Sequence, residues 1–311
     1  MRNSISCSLA TVATFILAAI ATRYLQPFPY FSPFYNGQVQ LAALATVLAA
    51  ASFILHRNLP AVVLVLAGVA MTAHLPVRVH AFGDRMTAEE TAGKPHLRLL
   101  SFNVLNSNVE NGAAIRDEIL NSGADIAVTL ESQPLESQLD ALSATYPYRL
   151  GCGAKTERCD LMVMSRYPFA EEEIGALSEL RSERFMRVAI EVEGQKVNVL
   201  AAHLTKPYFD DYHPHELWRL WQRLKRIDGP VVLAGDFNAA SIAPDMMWFL
   251  RSSKMKKDPF EPATWPTELG PFGIAIDHVF TRAPLRIGSV NRIRDSHGSN
   301  HYGLLADLFI D

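Results

Sequence analysis

Charge is what the beginning of this chain lacks. Between Ser4 and Leu75 the only ordinary charges are Arg23 and Arg57, and the acidic residues gather after Phe82. That asymmetry excludes an ordinary water-soluble fold for the first part and argues for a membrane portion followed by a soluble one. Cysteine is scarce as well. Three in 311 residues exclude a disulfide-dense scaffold. No excess of positive charge is present: the net charge is −3, so there is no general basic footprint for nucleic acid. A local basic groove stays open. No internal repeat or low-complexity tract is visible.

What the charge-poor part does contain is apolar. Ile5–Thr22, Val39–Leu55 and Leu59–Leu75 are apolar runs. Each is about 17–20 residues, near the lower limit for a bilayer-spanning helix. The first alone resembles a signal peptide with Arg2 as its charged start. Two more runs follow it, so a retained three-helix anchor over residues 1–80 is the better reading. The later two are apolar all round, which disfavours surface helices of a soluble core.

Loop charge sets the expected orientation. The Tyr24–Gly37 loop, YLQPFPYFSPFYNG, has no Lys or Arg and several aromatics. Arg2 precedes the first run and Arg57 lies between the second and third. The N-terminus and the Arg57 turn are therefore expected in the cytoplasm, and everything after Leu75 outside. That is a multi-pass protein of the inner membrane, touching the bilayer through residues 5–75. Cys152 and Cys159 bracket the short loop GAKTER. In an exported loop such a pair is expected to bridge; in a cytosolic one, free thiols are the alternative.

Residues 81–95, AFGDRMTAEETAGKP, read as a polar linker punctuated by Gly and Pro. The remaining 96–311 are enough for one sizeable core. Short strand-like runs dominate it: Leu97–Val104, Asp125–Leu130, Leu161–Ser165, Arg187–Glu193, Lys196–His203, Val231–Ala234, Ile276–Phe280 and Leu304–Ile310. Gly194-Gln195 between two of them is a hairpin signal. Ala113–Asn121 and His215–Ile227 carry helical patterns, the second with Leu217, Leu220, Trp221 and Leu224 on one face. This mixture suggests a two-sheet core covered by helices.

The polar residues fall where the apolar runs stop. Asn103 closes LRLLSFN, Glu131 closes ADIAVTLE and His203 closes VNVLAAH. Asp236 and Asn238 close VVLAGDFN, Asp277 and His278 interrupt IAIDHVF, and Asn300 and His301 precede the last strand. Any one alone reads as a turn former, a cap or a core histidine. Six such coincidences point to a site. A carboxylate with amide and water oxygens suits Mg²⁺. An Asp beside a His fixes its tautomer and stabilises its protonated form. A second Asp near neutral donors orients or deprotonates water.

The pieces SFNV, ADIAVTLE, MSRYP, AAHL, GDFNA, TWP with IDHVF, and GSNHYG together resemble the endonuclease/exonuclease/phosphatase superfamily over essentially all of 96–311. The resemblance implies a four-layer α/β sandwich, two central mixed sheets flanked by helices, preceded here by the three membrane helices. It implies a divalent-metal-dependent phosphoesterase using Mg²⁺, with Mn²⁺ as a substitute. Glu131 would be the principal metal ligand, with Asn103 assisting and Asn300 at the metal side. His203 would contact the scissile phosphate and Asp236 would orient or deprotonate the attacking water. Asn238 would hold a phosphate oxygen, and Asp277 would pair with His301, which stabilises the transition state. Substrates of the family include nucleic acid, nucleotides and lipid head groups. No obligate protein partner is evident. Two positions depart from the pattern. Leu130 stands where the family usually has Gln, and Asn300 where it has Asp, which removes a negative charge from the metal side.

Other features weigh less. His213, His215 and Glu216 in YHPHE resemble a metal cluster, but a loop and helix start with Pro214 near the first turn is the plainer reading. Lys206, Arg181, Arg184 and Arg187 would line a phosphate groove or simply be solvated. Trp265 is equally a substrate-facing aromatic or packing; Trp218, Trp221 and Met246-Met247-Trp248 read as packing. Two other function classes compete: a non-catalytic binding or sensor domain, supported by Asn300, and a protein whose spans carry the function. The near absence of ionisable residues in the spans counts against the last.

Overall fold

A computed structural model describes residues 1–208 and 210–311. The chain divides into two compact units. One comprises Met1–Ala81 with Pro207–Asp211 and Ala240–Met247; the other comprises Phe82–Lys206, Tyr212–Ala239 and Trp248–Asp311.

The first unit is built on helices Arg2–Ala21, Gln38–Leu55 and Leu59–His80. All three are long and apolar enough to cross a membrane. Small residues make their contact surfaces: Ala13, Ala42, Ala45 and Ala49 are fully buried. Ser6 and Ser52 hydrogen-bond across a helix pair at 2.9 Å, and Gly68 leaves no room for a side chain against Thr46. Close backbone approach and polar cross-links of this kind are how apolar helices associate without a hydrophobic drive between them. Arg23 donates to Gln38 Oε1 at 2.7 Å, so the charge is not bare. The third helix runs past Leu75 through Pro76 to His80. The missing N–H of Pro76 forgoes one helical bond, and the helix carries on without it.

The second unit holds two mixed sheets. One has the order β10-β11-β1-β2-β4-β3 and the other β5-β6-β7-β8-β9. In the first, β1 (His96–Asn103) runs parallel to β2 (Ile126–Leu130) and antiparallel to β11 (Leu304–Ile310). The other strands are β3 (Tyr148–Gly151), β4 (Leu161–Ser165) and β10 (Leu285–Arg292). In the second, β7 (Gln195–His203) runs parallel to β8 (Val231–Asp236), and β9 (Asp277–Arg282) returns antiparallel to β8. β5 (Glu171–Gly175) and β6 (Phe185–Val192) complete it. Glu193 and Gly194, both with positive φ, form the two-residue turn from β6 to β7.

Alternate residues of both sheets interdigitate in one core. Leu97, Leu99, Ile126, Val128, Val163, Val188, Ile190, Val199, Val232 and Leu308 are all buried there. Each such side chain contributes about 1.5–3 kcal/mol by leaving water. Helix Gly112–Asn121 covers the outer face of the first sheet through Ile115 and Ile119, packed with Leu100, Phe102 and Tyr146. Helix Tyr212–Leu224 buries Leu217, Leu220 and Leu224. Two mixed sheets flanked by helices are thus the fold expected from the strand pattern and the resemblance.

The 81–95 stretch differs from the expected linker. Lys257 N donates to Phe82 O, Asp84 N to Lys257 O, and Met86 N to Ile287 O. Arg85 makes a two-pronged pair with Asp258, and Met86 is buried. Residues 88–91 form a single helical turn closed by a Thr87–Glu90 capping box. The polar composition that suggests a linker serves here to pair with the sheet unit. Strands β3, β5 and β10 escape the sequence pattern. β5 is three successive glutamates on a sheet edge, and β10 is interrupted by Gly288 at a bulge.

Candidate active site

Strand polarity gathers the polar strand ends. β1 and β2 are parallel, so Asn103 and the residue after Leu130, Glu131, leave the first sheet at one edge. β11 runs the other way, which brings Asn300 and His301 to that same edge as the chain enters it. In the second sheet, His203 ends β7 in register with Asp236, and Asp236 lies opposite Asp277 at the start of β9.

Asp236 is the hub. Its Oδ2 accepts from Asn103 Nδ2 at 3.0 Å and lies 3.9 Å from both His203 Nε2 and His301 Nε2. Its Oδ1 accepts from Asn238 N at 2.7 Å, which closes a small turn. Asn238 sits at φ 52°, a region Asn tolerates better than most residues, and its Nδ2 donates to Leu204 O. Gly235 is required just before: at φ 144° any Cβ would strike the Ala202 carbonyl.

Each imidazole is backed by a carboxylate. His301 Nδ1 donates to Asp277 Oδ2 at 2.8 Å. His203 Nδ1 donates to Asp160 Oδ1 at 3.1 Å, and Arg184 Nε donates to Asp160 Oδ2 at 2.5 Å. A carboxylate only accepts, so both rings carry hydrogen on Nδ1 and turn Nε2 to Asp236. Burial opposes charge on His301, but Asp277 and Asp236 outweigh it and raise its pKa to about 9. Burial and then Asp277 raise Asp236 above the ordinary carboxylate range, against the pull of His301 and His203. Burial also opposes ionisation of Asp160, yet His203 and then Arg184 hold it well below its ordinary value.

Asp160 was invisible as a site residue in the sequence. Its one signal is position: it stands between Cys159 and β4. Cys152 and Cys159 form a disulfide, so Asp160 leaves a cross-linked loop. Arg184, a groove or solvent charge by sequence, is instead Asp160's partner. Arg187 pairs with Asn198 and Glu171. The YHPHE residues do not cluster as ligands. Glu216 accepts from Ser178 Oγ and Thr205 N, while His213 reaches Phe237 O.

The residues expected at a metal are Glu131, Asn103 and Asn300. Glu131, at φ 53°, accepts from Asn106 N at 3.0 Å and lies 3.4 Å from Asn103 Nδ2. Asn103 turns its Nδ2 to the two carboxylates, while its oxygen accepts from Leu105 N. Asn300 Oδ1 is buried with no hydrogen-bond partner among the described residues. A hard cation is one species that would satisfy an orphaned buried acceptor of this kind. Asp236, Asp277 and His301 also bring three ligand-type atoms within 4.8 Å of one another. In that group Asp277 Oδ2 is taken by His301, while Asp277 Oδ1 has no hydrogen-bond partner among the described residues.

A profile of the Endonuclease/Exonuclease/phosphatase family matches residues 100–301. No curated protein shows significant similarity to the chain. Solved structures share the fold. An endonuclease/exonuclease/phosphatase from Beutenbergia cavernae is 19% identical with a TM-score of 0.53, over 70% of this chain and 72% of that one. One from Bacteroides vulgatus is 15% identical with a TM-score of 0.57, over 70% and 100%. Sphingomyelinase C from Streptomyces griseocarneus is 17% identical with a TM-score of 0.51, over 68% and 99%.

Proposed function

The chain belongs to the endonuclease/exonuclease/phosphatase family, and from that premise we propose that it is a membrane-anchored phosphoesterase that hydrolyses a phosphate ester by in-line attack of water. The observation that carries this reading is the buried Asp236 carboxylate with the Nε2 atoms of two imidazoles each 3.9 Å from its Oδ2, each ring backed by its own carboxylate. Asp236 takes the proton of the attacking water, and its raised pKa suits a base. His301 is an imidazolium at neutral pH and donates to the oxygens on which charge accumulates. His203, held by Asp160, would contact the scissile phosphate, and Asn238 would hold a phosphate oxygen.

Glu131 and Asn300 would hold a divalent cation, Mg²⁺ or Mn²⁺, with Asn103 alongside. Bound there, it would supply polarisation of a phosphoryl oxygen. The three apolar helices would hold the enzyme on the inner membrane with the sheet unit outside the cytoplasm. The disulfide and the charge-free aromatic loop support that side. A phosphate ester is the substrate class: nucleic acid, nucleotide or lipid head group. The fold does not choose among them.

The test is turnover of bis-p-nitrophenyl phosphate and p-nitrophenyl phosphate by the full-length protein in detergent, with and without Mg²⁺ or Mn²⁺, beside Asp236→Asn. Metal-dependent turnover that falls by about 10³-fold or more in the variant is expected. No turnover together with no Mg²⁺ or Mn²⁺ binding in calorimetry would favour the non-catalytic binding domain instead.

A further inference from the structure

Two buried histidines outside the proposed chemistry bracket the turn that carries it. His213 Nε2 lies 2.7 Å from Phe237 O. His278 Nε2 lies 2.8 Å from Ala239 O. These two carbonyls flank Asn238, the residue at φ 52°, and both belong to buried residues. Among the described residues no helix or strand N–H serves either carbonyl, and water has little access to them. A carbonyl only accepts, so each imidazole donates from Nε2.

The far side of His278 defines its state further. Its Nδ1 lies 2.7 Å from Glu261 Oε1, while Glu261 Oε2 pairs with Lys257 Nζ at 2.9 Å. Lys257 also donates to Asp258 O, and Asp258 is paired with Arg85. Burial opposes charge on Glu261, but Lys257 and His278 prevail and bring its pKa down to about 2. A carboxylate on one nitrogen and a carbonyl on the other leave no acceptor role for the ring. Phe280 stacks on the ring at 4.8 Å and Phe237 meets it edge-on at 5.5 Å, which fixes its plane.

We propose that His213 and His278 are positioning residues that hold the Asp236–Asn238 turn from both sides, His278 as an imidazolium that donates to Ala239 O and Glu261 together. The inference rests on the phosphoesterase reading for its consequence in turnover, not for its geometry. A buried acceptor left without its donor pulls the turn out of place. Displacing a base or an orienting amide by a fraction of an ångström slows the chemical step without weakening substrate binding.

The experiment compares His213→Leu and His278→Leu with His213→Gln and His278→Gln in the full-length protein in detergent. The Gln amide carries a donor near the position of the imidazole Nε2; Leu carries none. With bis-p-nitrophenyl phosphate, the Leu variants are expected to lose about 10- to 100-fold in kcat with KM within about twofold, and the Gln variants to recover most of the loss. A Leu variant with the wild-type near-ultraviolet circular dichroism and unchanged kcat overturns the proposal. Two further readouts require no turnover. Hydrogen–deuterium exchange of peptides covering 231–243 should quicken in the Leu variants and stay near wild type in the Gln variants. Long-range proton–nitrogen NMR of the wild type should find both His278 nitrogens protonated at pH 7.5. A neutral His278 ring, or equal exchange in Leu and Gln variants, overturns the clamp even if the variants are unstable. An inactive wild type with the clamp intact would instead count against the phosphoesterase reading alone.

Discussion

Asn103 and Asp236 belong to different sheets, yet the amide of the first donates to the carboxylate of the second at 3.0 Å. This bond ties the end of β1 to the end of β8. It also supplies Asp236 with a neutral donor, and a donor on a carboxylate favours its charged form. Asn103→Ala removes that donor. The acid limb of the pH–rate profile is then expected to move up in pH, with a loss of about 1–3 kcal/mol in stability from the buried carboxylate left short of a partner. Urea unfolding and kcat/KM against pH measure both; an unmoved acid limb counts against Asp236 as the base.

The basic limb should belong to His301. Its pKa, raised to about 9 by Asp277 and Asp236, keeps the ring charged through neutrality. Activity should fall as pH rises through that value. In Asp277→Asn the supporting charge is gone, so the basic limb should move toward the ordinary histidine pKa of about 6.5. Stability has the same sign. The contribution of His301 is complete below about pH 6.5 and is lost as pH climbs through the raised value. Rate profiles and thermal melts between pH 6 and 10 check the two halves separately.

Asp160 should matter through His203 alone. Asp160→Asn keeps the size but removes the charge, and a fall in kcat of about 10- to 100-fold is expected. Because Asp160 is held well below its ordinary pKa, its contribution to stability is present above the unfolded carboxylate value and is lost only as pH falls through the lowered one. The variant should therefore be less stable than wild type at pH 7 and approach it in strong acid.

The disulfide next to Asp160 gives a related expectation. Replacing Cys152 and Cys159 by Ser removes the closure of a short loop, worth about 2.5 kcal/mol in chain-entropy terms. The loss should appear as a lower denaturation midpoint, and wild type in dithiothreitol should match the double variant.

The proposed metal site gives Asn300 a testable role. Its oxygen is an orphaned neutral acceptor, and Asn300→Asp restores a negative charge there. The Mg²⁺ concentration for half-maximal turnover should drop by about tenfold. An unchanged requirement would remove Asn300 from the metal side.

The sequence was most readable where one strand's own pattern carried the information. VVLAGDFNA announces a buried strand ending in polar groups, and β8 is that strand. The three apolar runs announce long helices. The resemblance pointed to the two-sheet sandwich and to Asp277 with His301. Asp160 was hidden because its role depends on a contact with His203 that no local pattern encodes. His213 and His278 were visible as residues, but only the path of the turn shows what they hold. The 81–95 stretch misled because polar, Gly-punctuated sequence looks the same whether it meets water or a sheet edge.

The parallel pairs β1–β2 and β7–β8 distribute the candidate site over both sheets and nearly the whole of the second unit. No short contiguous fragment holds the full set of groups, which run from Asn103 to His301. On the phosphoesterase reading, turnover would therefore count completely assembled molecules. In a denaturant series it should vanish no later than the tertiary signal, and a nicked or partly folded chain should be silent rather than slow.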